Sequence, residues 1–269
     1  MIDILMITHN RPSYTRLSLE RLVETCHDRA RVWLWHNGED AETLAISQEF
    51  AEHPAVHRFH HSVQNQKLRE PTNWLWRESD GDYLSKIDDD CLVPHGWLET
   101  LEKAHEDNPK FGVIGCWRFA QEDFNPEVAA KKIHAYPGGH QLLRNCWIEG
   151  SGYLMKRACV ERQGLIQDSE SFTRYCVRLA SKGYLNGWYF PFLPQEHMDD
   201  PRTQHCLLNE PGMFDRYAPL SAKTFGVSGV DAWLAALQRD ARRVQAADLR
   251  PWTFGRAGRL LKKLRLMKR

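Results

Sequence analysis

Residues 81–90 read Gly81-Asp82-Tyr83-Leu84-Ser85-Lys86-Ile87-Asp88-Asp89-Asp90, a short apolar-patterned run that ends in three consecutive carboxylates. The stretch 83–87 predicts a strand, and Gly81 closes a short helix that Pro71 opens and that runs through Trp74 and Trp76. Three acids at a strand tip repel one another and raise each other's pKa unless something positive stands among them. A divalent cation answers that demand most simply, because hard oxygen ligands suit Mg2+ or Mn2+, which share their remaining positions with phosphate oxygens. A solvated acidic turn, or an N-cap for the helix near Trp97, would use the same residues. The surroundings decide between these readings.

Upstream, residues 2–7 form the nearly continuous apolar run of a strand buried on both faces of a parallel sheet. The polar turn Thr8-His9-Asn10-Arg11-Pro12 follows, then a helical pattern in which Tyr14, Leu17, Leu22 and Val23 recur, with Ser13 as its expected N-cap. Residues 32–35 read as a second strand, Asn37-Gly38 as its turn, 41–50 as a helix and 56–59 as a third strand before a polar loop at 62–70. Downstream, 97–105 is helical and 112–116 a strand. Strands alternating with helices predict an α/β fold, a mostly parallel sheet flanked by helices on both faces. Ligands of such sheets gather beyond the carboxyl ends of the strands, where the turns after Ile7 and Ile87 lie.

Further on, Pro126, Pro137, Gly138 and Gly139 punctuate a stretch of weak periodicity, so 118–145 is expected to be a loop-rich insertion. Extended character resumes at 147–155, a helix is expected at 171–182, an aromatic strand at 184–192, a linker at 209–229 and a helix at 230–247. The chain therefore divides into an α/β domain, 1–225, and a C-terminal helical extension, 226–269.

The 269 residues are 42% hydrophobic and 26% charged, a globular composition that excludes disordered, collagen-like and coiled-coil classes. Basic and acidic residues nearly cancel, 36 against 35, but residues 255–269 hold seven Lys or Arg and no acid, which leaves 1–254 at +1 less 7, or −6. In that tail Leu260, Leu261, Leu264 and Met267 share one helical stripe and the basic residues lie largely elsewhere, the pattern of an interfacial helix on an anionic membrane surface. A docking helix or a solvated tail has the same pattern. No apolar run reaches the roughly 18–20 residues of a membrane span and no signal peptide is visible. The expected location is cytoplasmic, including the cytoplasmic face of the inner membrane, and no nucleic-acid partner is expected. Seven scattered cysteines without zinc-site spacing fit free thiols in a reducing compartment.

The segments Ile2-Asp3-Ile4-Leu5-Met6-Ile7-Thr8-His9-Asn10-Arg11-Pro12, Asn37-Gly38 and Gly81 to Pro94, in that order, resemble the family 2 glycosyltransferases of the GT-A fold. In that family a Thr-x-Asn-Arg turn ends the first strand and a Gly-Asp-Tyr segment leads into an Asp-x-Asp motif. The resemblance implies a GT-A, Rossmann-like sheet, a nucleoside-diphosphate-sugar donor, a divalent metal (Mn2+ or Mg2+) and an acceptor that is a glycan or is lipid-linked. It places Thr8, Asn10, Arg11, Asn73, Asp88 and Asp89 on the donor side. Asp90 becomes the metal-bound carboxylate with Asp89 assisting, and His197, six residues after Pro191, a third metal ligand or diphosphate contact. His36 stands where the family often has an acid that reads uracil, with Glu39 or Asp40 as substitutes. Gly150 and Gly152 fall where small residues underlie the donor sugar, although a bulge or turn would also use them. Glu149 is a candidate for sugar hydroxyls, and Arg202 for phosphate charge.

An inverting transfer needs a carboxylate to take the acceptor proton. Alignment of Arg178-Leu179 and Gly183-Tyr184 on the family puts its Glu-Asp motif at Ser171-Phe172, so the role passes to Glu170, then Asp168, with Asp199 or Asp200 in reserve. Helix capping is the alternative use for Glu170 and Asp168. Most of the ten tryptophans should be core, while Trp147 and Trp188 are candidates to stack on sugar rings. The implied activity is a metal-dependent, inverting glycosyl transfer in cell-surface polysaccharide or glycoconjugate synthesis. A catalytically inactive GT-A domain that binds nucleotide-sugar or glycan is the alternative. Nucleotidyl transfer or phosphate hydrolysis would also use an acidic strand end, but no Gly-rich phosphate loop is present.

Overall fold

The computed structural model describes residues 1–224 and 226–255. Its first strand, β1 (Ile2–Thr8), is buried along its whole length, as its apolar run requires. Helix α1 (Pro12–Thr25) follows, opened by Pro12 in its first turn and lacking any side-chain cap, so Ser13 does not serve as one. Strand β2 (Ala30–Asn37) leads to α2 (Ala41–Ala51), whose N-terminus Asp40 caps by accepting from the Thr43 amide at 2.9 Å. Strand β3 (Val56–Ser62), helix α3 (Arg69–Glu78) and strand β4 (Tyr83–Asp88) complete the first half. β1 pairs in parallel with β2 and β4, Thr8 opposite His36 and Ile7 opposite Asp88, so the three following turns open at one edge.

The second half begins with the two-residue β5 (Cys91–Leu92), then α4 (Trp97–Asp107), β6 (Phe111–Gly115), α5 (Pro126–Ala129), β7 (Ile133–Ala135), β8 (Gln141–Asn145) and β9 (Tyr153–Lys156). It continues through α6 (Arg157–Gln163), α7 (Phe172–Ala180), β10 (Leu185–Phe190), β11 (Glu196–His197), α8 (Met213–Tyr217), α9 (Leu220–Thr224) and α10 (Val230–Ala246). The main sheet runs β3-β2-β1-β4-β9-β6-β10-β8-β7. β9 enters antiparallel to both β4 and β6, while β10 returns parallel to β6. Beside this sheet, β11 pairs antiparallel with β5, His197 opposite Cys91, which carries residues 196–199 to the tip of β4.

Alternation along β1 divides the core. Ile2, Ile4 and Met6 face a cluster with Leu19 and Leu22 of α1, Ile46 of α2, and Leu98 and Leu101 of α4. Leu5 and Ile7 face the other side, with Leu75 of α3, Val160 of α6, Tyr175 and Leu179 of α7, and Ala241 and Val244 of α10. The result is the helix–sheet–helix sandwich that the sequence pattern predicts.

Three further expectations change. The segment 118–145 is not only loop, because β7 and β8 form the far edge of the main sheet, with β8 antiparallel to β10. Its strands escape a period count because they are three and five residues long. The linker expected at 209–229 contains α8 and α9, whose Phe214 and Ala222 build a small core with Leu208 and with Trp233, Ala236 and Leu237 of α10. Trp147 and Trp188 are 7% and 1% exposed and pack edge-on at 6.1 Å, so they are core rather than sugar platforms. The basic amphipathic stretch lies outside the described residues.

Asp3 is a charged residue inside β1 with no exposure. Its carboxylate accepts from Arg31 Nε at 2.8 Å and Nη2 at 2.9 Å, Trp33 Nε1 at 2.9 Å and the Gly81 amide at 2.8 Å, which ties β1, β2 and the entrance of β4 together. Asp3→Ala leaves these donors unpaired and should cost about 3 kcal/mol, read as a lowered urea midpoint. His105, fully buried on α4, donates through Nε2 to the Leu154 carbonyl at 2.9 Å, and burial pushes its pKa down to about 3. Below pH ~6.5 the unfolded chain protonates this histidine while the folded chain does not, so stability should fall as pH drops from there toward 3. His105→Gln should flatten that part of a stability–pH curve measured by urea unfolding.

Candidate active site

The acidic triplet divides its work by direction. Asp88 ends β4, its amide donating to Ser151 Oγ at 3.0 Å and its carboxylate pairing with Lys86 two residues back on the same face. Asp89 turns inward, where it accepts from the His9 amide at 3.0 Å and Arg11 Nη2 at 2.9 Å, while its carbonyl takes the Ser18 hydroxyl at 2.9 Å. It thereby fastens the β1–α1 turn to the tip of β4. Asp90 accepts from Arg11 Nη2 at 3.0 Å, and its carbonyl receives the Met198 amide at 2.8 Å. That backbone bond and the β5–β11 pair set His197 Nε2 3.9 Å from Asp90 Oδ2. Asp199 has no exposure; its Oδ2 accepts from Arg11 Nη1 at 2.7 Å, and its buried Oδ1 has no partner. Trp233 of α10 donates its indole N–H to the Asp199 carbonyl at 2.7 Å and holds this turn from above.

Asp90, His197 and Asp199 each present one ligand atom, all within 4.8 Å of one another. Burial opposes ionisation of Asp90, yet Arg11 and His197 together hold its carboxyl far below the usual range. At Asp199 burial wins and pushes the pKa up to about 7 against the pull of Arg11. Burial, helped by Arg118, pushes His197 down to about 4, so its imidazole is neutral at pH 7, the form that binds metals. Two carboxylates and one neutral imidazole, with one carboxylate oxygen buried and unsatisfied, fit a divalent cation of the Mn2+ or Mg2+ kind. A cavity of about 190 Å3 opens beside His197, lined also by Arg118, Phe119, Gln195, Asp200 and Arg202.

At the turn after β1, Thr8 and His36 are fully buried and bonded to each other, Thr8 Oγ1 to His36 Nδ1 at 2.9 Å. Burial pushes His36 down to about 4, so it presents no charge at neutral pH. Next in the chain His9 is partly exposed and Asn10 exposed, and Asn10 has the positive φ of 52°. His9 bonds through Nδ1 to the Asn37 carbonyl at 2.7 Å. Asp40 is used in capping α2, and Glu39 is exposed.

The other residues singled out in the sequence have different surroundings. Asn73 bonds both ways with the Ile166 backbone, donating at 2.9 Å and accepting at 3.0 Å, and so joins α3 to the loop before α7. Glu170 is clamped by Arg178, Nε to Oε1 at 2.9 Å and Nη2 to Oε2 at 2.8 Å. Asp168 is 96% exposed and pairs with Arg69 at 3.1 Å. Gly152 has the left-handed φ of 67° that strains any other residue, and a Cβ there would also displace the Gln195 amide; a Cβ at Gly150 would meet nothing closer than 3.6 Å. The Arg202 guanidinium is taken by Asp200 at 2.6 Å, Asp123 at 2.8 Å and Glu122 at 3.1 Å.

Three participants were not read from sequence. Lys86 was findable, because a strand of period 2 puts it on the face of Asp88. Arg118, whose Nε is buried without a partner and whose guanidinium stacks over Phe119 at 5.3 Å, had no local signal. Nor had Gln195, which depends on contact with Gly152.

The family model described as glycosyl transferase family 2 matches residues 3–168. Among solved structures, the mannosyltransferase PcManGT from Pyrobaculum calidifontis, in complex with GDP-Man and Mn2+, is similar with a TM-score of 0.61 and 17% identity over 97% of this chain and 79% of that one. GalNAc-T7, with UDP, GalNAc and Mn2+, is similar with a TM-score of 0.57 and 11% identity over 73% of this chain and 43% of that one. No curated protein sequence matches. The structural likenesses are likenesses of fold, and the fold is GT-A, while the family match spans β1, the acidic triplet and β9. The chain belongs to glycosyl transferase family 2 and is a glycosyltransferase.

Proposed function

We propose that the protein transfers a sugar from a nucleoside-diphosphate-sugar to a hydroxyl of a glycan or lipid-linked acceptor, with inversion and with a divalent metal. The observation that carries this reading is the Asp90–His197–Asp199 cluster at the tip of β4, on the edge where the turns of β1 and β2 converge. When bound there, the metal supplies positive charge that stabilises the departing diphosphate. Asn10 and His9 border the nucleoside, Lys86 holds Asp88 at the strand end, and Asp90, His197 and Asp199 would hold the ion. The ligands of the two similar structures, GDP-Man and UDP, support a nucleotide-sugar donor. His36 is fully buried against Thr8 and reads no base, so GDP-linked donors stand beside UDP-linked ones in the first panel.

The base is a separate question. Glu170 has both oxygens on Arg178, and Asp168 faces solvent against Arg69. Asp199 belongs to the metal cluster. Glu149, beside Gly150, has a shielded Oε2 without a partner, and burial raises its proton affinity against the pull of Arg118. These are the properties of a general base, and we assign it that role over Glu170.

Incubation with UDP-, GDP- and ADP-linked sugars and Mn2+ should release nucleoside diphosphate from one of them. Asp90→Asn should lower that release at least 100-fold; absence of release and of nucleotide binding across the panel would overturn the proposal. Glu149→Gln should lose on the order of 100-fold in kcat with Mn2+-dependent nucleotide binding intact, as removal of a base does. Glu170→Gln should instead lower the unfolding midpoint through loss of its Arg178 pair.

Among the described residues no helix is long and apolar enough to cross a membrane. The basic, leucine-striped sequence of 255–269 supports a peripheral contact with anionic lipid, which suits a lipid-linked acceptor. Deletion of 255–269 should abolish flotation with anionic liposomes at moderate salt.

A further inference from the structure

We propose that Arg11 is a resident counter-cation that holds the metal-site carboxylates until the metal arrives with a diphosphate, so that metal binding depends on nucleotide. The inference rests on the metal and donor reading above and deepens it. Arg11 Nη1 lies 2.7 Å from Asp199 Oδ2, and Nη2 is shared between Asp89 Oδ1 at 2.9 Å and Asp90 Oδ2 at 3.0 Å. Two of the three residues suited to bind the ion therefore already spend an oxygen on the guanidinium. The Asp90 oxygen it uses is the one that faces His197. A dication entering among these atoms meets the guanidinium charge at close range in a buried site, where screening by water is weak.

The geometry points to the partner that relieves this conflict. The ion can take Asp90 Oδ2 and Asp199 Oδ2 fully only if Arg11, 3.0 and 2.7 Å away, gives up its hold on them. A diphosphate brings new negative charge beside the ion and offers the planar guanidinium a replacement partner of suitable geometry. Asp89 is built to be the pivot. It lies outside the metal cluster, and the His9 amide and Thr15 hydroxyl also hold it, at 3.0 and 3.4 Å. Arg11 itself precedes α1 without capping it, is 16% exposed, and rests over the Tyr14 ring at 5.2 Å, so its side chain has an outward path. Arg11 thus exchanges Asp90 and Asp199 for phosphate oxygens while keeping Asp89.

The test is Mn2+ titration followed by electron paramagnetic resonance of the free ion, with and without GDP or UDP, on wild type, Arg11→Gln and Asp199→Asn. Wild type should bind Mn2+ at least tenfold more tightly when the preferred nucleotide is present. Arg11→Gln should bind Mn2+ alone at least tenfold more tightly than wild type does, and the gain from nucleotide should shrink by a similar factor. Unchanged or weaker binding of Mn2+ alone by Arg11→Gln, with nucleotide-dependent binding normal in wild type and lost in Asp199→Asn, would overturn the counter-cation and leave the metal site standing. Absence of Mn2+ binding by every protein, with or without nucleotide, would remove the site reading and this inference with it. Should Arg11→Gln fail to fold, Arg11→Lys, a point charge that cannot span both carboxylates, should show an intermediate gain in affinity for Mn2+ alone, and no gain would overturn the proposal.

Discussion

One guanidinium makes a buried acidic cluster tolerable. Asp89, Asp90 and Asp199 come from two distant parts of the chain, and each is almost or wholly removed from water. Without a positive partner such a group of carboxylates would take up protons instead of staying charged, because desolvation and mutual repulsion both favour the neutral acid. Arg11 supplies that partner, and it does so unequally. Asp90, near both Arg11 and His197, is held ionised, whereas burial raises the proton affinity of Asp199 against the same guanidinium.

The sheet explains how groups so far apart in sequence meet. A wholly parallel sheet would require β6 to sit directly beside β4. Here β9 is inserted antiparallel between them, and the chain just before it passes across the tip of β4. Ser151 accepts from the Asp88 amide, and the Gly152 amide donates to the Lys86 carbonyl at 2.9 Å. The reversed strand brings Ser151 and Gly152 to that tip with it. The small β5–β11 ladder performs the equivalent task for His197 and Asp199.

The parts legible in sequence were those with strong local signals. The buried strand 2–7, the strand that runs into Asp88, the helix near Trp97 and the α/β layering all follow from periodicity and turn residues, and the structure has them. Short strands in a polar stretch, β7 and β8, carried too few residues to show a period. For the site, Asp90 and His197 were read as partners and do stand together. What the sequence left open was which acids are already engaged. Glu170 looks like a helix-start carboxylate until Arg178, eight residues on, closes over both its oxygens. Thr8 and His36 look like pocket residues until the fold buries them against each other. Asp3, inside an apolar strand, carries no local signal of the four donors that converge on it. Such pairings are made across the sheet, and no spacing along the chain encodes them.

The indole of Trp233 carries a consequence for the order of assembly. Every strand of the sheet is complete by His197, yet the carbonyl of Asp199 gains its hydrogen-bond donor only from a helix 34 residues further on. During synthesis the sheet can close and bury its two cores while the turn that bears Asp199 still lacks its clasp. Capacity to grip the ion is thus acquired late, after the scaffold, when most of the chain has left the ribosome.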